Sequence, residues 1–151
     1  MKILMTGVDG VLNSAEWFAS AQPQQKDGWG LCSVDPKALQ RIKYVCKATG
    51  AKIVLSSTWR LAPQMVEYLT EVAKLEIYDM TPRIDSNNRA EEIMTWLKAN
   101  PYVYNFAIID DDEDAGDHPE LKPRFVRTSW QRGMEIEHEE ALLKLLGKLH
   151  D

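Results

Sequence analysis

Three short polar clusters stand out by residue type and spacing. Asp9-Gly10 ends an apolar run over residues 2–8, Ser56-Ser57-Thr58-Trp59-Arg60 follows Lys52-Ile53-Val54-Leu55, and an acidic segment follows Phe106-Ala107-Ile108-Ile109. That segment puts six carboxylates (Asp110, Asp111, Asp112, Glu113, Asp114 and Asp117) into eight positions. Like charges packed this tightly are costly unless a cation offsets them, and direct attachment to a buried strand argues against a merely solvated loop. Mg²⁺ suits the place, because it is held by one or two carboxylates together with water and phosphate oxygens. An EF-hand does not fit, since its required glycine would be Ala115 and its closing glutamate Leu121.

Asp9 is a candidate second metal ligand, although Asp-Gly is also a common turn pair. Gly10 lets the backbone turn sharply there and is counted with the phosphate-binding group. Ser56, Ser57 and Thr58 offer hydroxyls and backbone donors, and Arg60 offers a bidentate fork, so this cluster reads as a phosphate cradle. The competing reading is helix capping by Ser or Thr beside an exposed arginine. Arg89 is either a further phosphate ligand or a solvated residue at a helix start. Neither GxxxxGK[ST] nor GxGxxG occurs, so the common nucleotide-binding loops are absent.

The elements that must position these groups alternate along the chain. Asp35-Pro36 opens a helix with Leu39, Ile42, Val45 and Cys46 at helical spacing, closed by Gly50. Lys52–Leu55 is a strand. After Pro63 comes a helix presenting Met65, Val66, Leu69 and Val72 on one face, and residues 76–80 form another strand. A third helix over 90–99 carries Ile93, Trp96 and Leu97, and residues 106–109 are the most apolar strand. Residues 124–127 suggest an edge strand, and a last helix over 135–149 turns Ile136, Leu142, Leu143, Leu146 and Leu149 inward. Residues 14–34 read as a loop or small insertion. Continuous apolar strands alternating with helices indicate a parallel sheet covered on both faces. Ligands of such sheets bind outside the carboxyl ends of the strands, where all three clusters fall.

The chain has 151 residues and a formal charge of −5, from 23 acidic against 18 basic side chains. Setting the acidic segment aside leaves 17 against 18, so one corner carries the imbalance. The length suits one domain over 1–151. No apolar run approaches the roughly 20 residues that span a bilayer, and the apolar start is too short for a signal peptide. Cys32 and Cys46 form neither a disulfide framework nor a zinc site, so a reduced, cytoplasmic protein is expected. No basic run points to general nucleic-acid binding.

Taken in order, the clusters resemble those of the haloacid dehalogenase-like (HAD) phosphatase superfamily, in particular the small capless members related to the phosphatase domain of Swiss army knife RNA-repair proteins. The likeness is carried by Val8-Asp9-Gly10-Val11-Leu12-Asn13, by Gly50 to Arg60, by Thr81-Pro82-Arg83 and by Arg89 to Leu97. Ile108-Ile109-Asp110-Asp111-Asp112, Arg127-Thr128 and Gly133-Met134 extend it over nearly the whole chain. It implies a three-layer, Rossmann-like α/β fold with about five parallel strands. It also implies Mg²⁺-assisted phosphoryl transfer to an aspartate, followed by hydrolysis of the aspartyl phosphate.

The family's first motif is DxDG, whose first Asp is the nucleophile and whose second is the general acid/base. Asp9 matches the second, and Gly7 stands where the nucleophile belongs. Glycine can neither attack phosphorus nor ligate a metal, and Thr6 points to the opposite side of its strand. By the same resemblance Ser56 would bind the transferred phosphoryl group and Arg89 would offset its charge. Asp110 and Asp111 would be the paired metal ligands, supported through water by Asp114. The expectation is a relative of Mg²⁺-dependent phosphomonoester hydrolases impaired at Gly7. The alternatives are a non-catalytic phosphate- or nucleotide-binding protein on the same scaffold, a polynucleotide-end phosphatase, or a hydrolase in which Asp9 activates water directly. With no large cap between the first two motifs, the open site would suit a phosphorylated small molecule or a nucleic-acid end.

Overall fold

The five segments expected to be strands all become strands, and the apolar runs of the three central ones explain their lack of polar alternation. The computed structural model describes residues 1–20 and 34–149. Strands β1 (Lys2–Thr6), β2 (Lys52–Leu55), β3 (Ile77–Met80), β4 (Asn105–Asp110) and β5 (Phe125–Arg127) form one all-parallel sheet in the order β3-β2-β1-β4-β5. Successive residues of a strand face opposite sides. Leu4, Ile53, Leu55, Ala107 and Ile109 therefore enter one core, and Ile3, Met5, Val54 and Ile108 enter the other. The first core is closed by α2 (Pro36–Thr49), α5 (Ile136–Leu146) and residues following α3 (Pro63–Glu67). The second is closed by α4 (Arg89–Ala99) with Leu121. Each fully buried Leu or Ile in these layers contributes about 2 kcal/mol. The architecture is the three-layer α/β arrangement expected.

Local chemistry sets the boundaries. Asp35 caps α2 by accepting from Lys37 N–H at 2.9 Å, Pro36 takes the first turn, and Gly50 closes the helix in the left-handed region. Asn88 caps α4, accepting from Glu91 N–H at 3.1 Å. Elsewhere the structure departs from the sequence reading. Residues 15–20, expected to be irregular, form a short helix, α1 (Ala15–Ser20). The rest of the presumed insertion, with Trp29 and Cys32, lies outside the described residues, as does His150. The helix after Pro63 passes into a π turn at Tyr68–Val72. A π turn advances the side chains by a different angle, so Tyr68 and Leu69 are buried while Met65 is exposed. Helix α5 stops at Leu146, before Gly147, and Ile136 and Leu149 are exposed rather than inward.

The chain passes from β1 to β2 and β3, then returns through α4 to β4 on the other side of β1. The strand order thus reverses between β1 and β4, where doubly wound sheets open a crevice at their carboxyl ends. No described helix is long and apolar enough to cross a membrane.

Candidate functional site

Register brings the motif residues to one row. Thr6 pairs with Leu55 on one side and Ile109 on the other. One step further, Gly7 N–H donates to Ile109 O at 3.0 Å and Ser56 N–H donates to Thr6 O at 3.1 Å. Gly7, Ser56 and Asp110 therefore stand side by side at the carboxyl ends of β1, β2 and β4. Asp110 is 1% exposed and forms an ion pair with Arg89, Nη1 to Oδ2, at 2.6 Å. Its other oxygen accepts from Asp112 N–H at 3.0 Å. Arg89 is the first residue of α4, so the Asn88 cap that starts the helix also aims this guanidinium.

Gly7 does not have a positive φ, so its backbone has no need of glycine. Space is what the missing side chain leaves: a Cβ there would lie 2.8 Å from Asp110 Oδ2 and 3.0 Å from its Cγ. The Asp110 carboxylate thus borders the point where a position-7 side chain would leave the backbone.

Asp9 is exposed and held from two sides. Its Oδ1 accepts from Asn13 Nδ2 at 3.0 Å, and its Oδ2 accepts from Trp59 Nε1 at 3.1 Å. Asn13 also accepts from Gly10 N–H at 3.0 Å, and Thr128 Oγ1 donates to Gly10 O at 2.5 Å. Gly10 has φ 77°, and a side chain there would run into the Asp111 carboxylate. Asn13, Trp59 and Thr128 were not singled out from sequence. The usable signal is that all three sit inside the stretches that carry the family resemblance, and that an indole N–H needs an acceptor when partly buried.

The hydroxyl cluster divides in two. Ser56 is 0% exposed, and among the described residues its Oγ has no hydrogen-bond partner; Thr81 Oγ1, at the end of β3, is in the same state. A buried hydroxyl without a partner is costly, and a ligand oxygen at Ser56 would relieve that. Ser57 instead caps the 3₁₀ turn Thr58–Leu61, accepting from Trp59 N–H at 3.1 Å. Arg60 also turns inward. It donates to the carbonyls of Ser56, Ser57, Thr81 and Pro82 and pairs with Glu92 at 2.9 Å, with the two side chains 3% and 6% exposed. Ser57 and Arg60, expected as phosphate ligands, are thus engaged by a turn N–H and by backbone carbonyls with Glu92. Strand ends leave carbonyls that need donors, and Arg60 meets that need.

Burial, and then hydrogen bonding and repulsion from Asp110, push the Asp111 carboxyl up to about 6. Asp114 is exposed and joins Arg83, Asn87 and Arg89 around a cavity of about 310 Å³ beside this row. Among the described residues, no three His, Cys, Asp or Glu side chains converge in a way that could hold a metal ion. The oxygen chemistry of Asp110 and Asp111 still fits Mg²⁺, which needs only one or two carboxylates beside water and phosphate.

Aspartates, a serine hydroxyl and an arginine gathered at the switch point of a parallel α/β sheet fit a phosphohydrolase-type scaffold. The chain belongs to the family described as the HAD domain in Swiss Army Knife RNA repair proteins, which it matches over residues 3–138. A search of curated proteins gives no significant match.

Proposed function

We propose that this chain is a Mg²⁺-assisted phosphomonoester-binding HAD domain whose hydrolysis through an aspartyl phosphate is disabled at Gly7. The observation that carries the reading is the geometry at Gly7, where no nucleophile exists and the Asp110 carboxylate borders the vacant direction. Ser56 Oγ, buried with no partner among the described residues, is the group that would bind the phosphoryl oxygen. Arg89 would share its guanidinium between Asp110 and the incoming phosphate. Asp9, pinned by Asn13 and Trp59, keeps a carboxylate where the leaving oxygen would need a proton. Mg²⁺, held by Asp110 and Asp111, would neutralise phosphoryl charge. The substrate class is a phosphomonoester on a small molecule or a nucleic-acid end, the latter supported by the RNA-repair family.

The test is thermal stabilisation by inorganic phosphate with and without Mg²⁺. A ligand at 100 times its Kd adds about 2.7 kcal/mol, so millimolar phosphate with Mg²⁺ is expected to raise Tm by several degrees. The rise should shrink in Ser56→Ala and Arg89→Met. No rise under any metal condition contradicts the reading.

A further inference from the structure

At the opposite, amino-terminal end of the sheet lies a larger cavity of about 590 Å³. Its rim includes Lys43 and Lys47 from α2, Lys52 from the start of β2, Lys74 from the turn before β3, and Glu76 and Tyr78. All four lysines are exposed, and among the described residues none forms an ion pair. In a chain of net charge −5, this rim has four cationic groups against one carboxylate. The lysines come from three separate elements, which is why no basic run announces them.

Aromatic rings continue the surface. Lys52 Nζ lies 5.4 Å from the centre of the Tyr78 ring, and the Tyr78 hydroxyl is 3.3 Å from that of Tyr102. Tyr78, Tyr102 and the nearby Tyr104 are 43%, 50% and 73% exposed. Lysines that track a backbone, beside exposed rings on which bases stack, are the two components of sequence-tolerant single-strand binding. An acidic peptide would use the lysines but leave the rings without a role. We infer that this end of the sheet binds single-stranded nucleic acid, with phosphates on Lys43, Lys47, Lys52 and Lys74 and bases against Tyr78 and Tyr102. The inference does not depend on the phosphomonoester site, which faces the other end of the strands.

The test is fluorescence anisotropy of the intact chain with an oligouridylate that has hydroxyls at both ends and an internal fluorophore. Such a probe offers nothing to a terminal-phosphate site. Binding at low salt is expected. The triple variant Lys43→Glu/Lys47→Glu/Lys74→Glu should weaken it more than about tenfold and reduce the slope of log K against log salt by about 2, near 0.7 for each lost contact. Tyr78→Ala should weaken it about five- to tenfold, the range for one lost base stack. Three exposed lysines elsewhere, reversed together as Lys37→Glu/Lys122→Glu/Lys144→Glu, supply the charge control; retained affinity there supports the assignment. It is overturned by absence of binding, by equal losses in the two triple variants, by an unchanged Tyr78→Ala, or by polyglutamate displacing the probe as readily as unlabelled oligouridylate does.

Discussion

A carboxylate at position 7 would place a second negative charge against Asp110, which is already buried and bound to Arg89. The Asp110 side chain would have to shift away from the new Cβ, straining its Arg89 contact. Overpacking of this kind costs about 1–3 kcal/mol, so Gly7→Asp is expected to melt below the parent in chelator. Mg²⁺ should then raise its Tm more than it raises the parent's, because the added carboxylate completes the charge the cation answers. Equal melting in chelator would mean that Asp110 is not constrained as described. The pair between half-buried Arg89 and buried Asp110 makes a second expectation. Removing one partner leaves a buried charge and costs about 3–5 kcal/mol, so Arg89→Met should be severe. Arg89→Met/Asp110→Asn should recover much of the loss, as read by denaturant unfolding.

At the scale of elements, Arg60 and Glu92 join the ends of β2 and β3 to α4. Arg60→Leu is expected to destabilise by about 3–5 kcal/mol because it strands Glu92. Arg127→Leu, which breaks an exposed pair with Glu113, should change stability by less than about 1 kcal/mol. A small effect of Arg60→Leu in denaturant unfolding would contradict its role as a staple. These elements also mark how far the sequence could be read. The strands and α2 were legible because apolar runs and the Asp35, Pro36 and Gly50 caps act locally. The π turn at Tyr68–Val72 and the early end of α5 were not, because apolar spacing alone does not distinguish a π turn from an α turn or show where a final turn frays. Gly7, Asp9, Ser56, Arg89 and Asp110 were legible as candidates by motif. Arg60 and Ser57 had suitable chemistry but were claimed by backbone carbonyls and a turn that only the assembled sheet reveals.

Over the whole molecule, the net −5 conceals a polarity along the strands. Carboxylates gather at the carboxyl ends of β1 and β4, and exposed lysines gather at the amino ends of β2 and β3. Mg²⁺ should therefore act at one end only. Titration with Mg²⁺ followed by NMR amide shifts is expected to move Gly7, Asp9 and Asp110–Asp112 while leaving Lys43, Lys47 and Lys74 still. Shifts of equal size at both ends would contradict a localised cation site.

A scaffold that keeps its phosphate-handling groups and lacks only the nucleophile should regain turnover when a carboxylate is restored at position 7. The most direct test is p-nitrophenyl phosphate turnover with and without Mg²⁺, measured side by side for the parent and Gly7→Asp, since loss of a covalent nucleophile costs orders of magnitude in rate. Mg²⁺-dependent turnover is expected to emerge in Gly7→Asp and to be absent or very weak in the parent. Equal and substantial turnover in both would contradict that expectation.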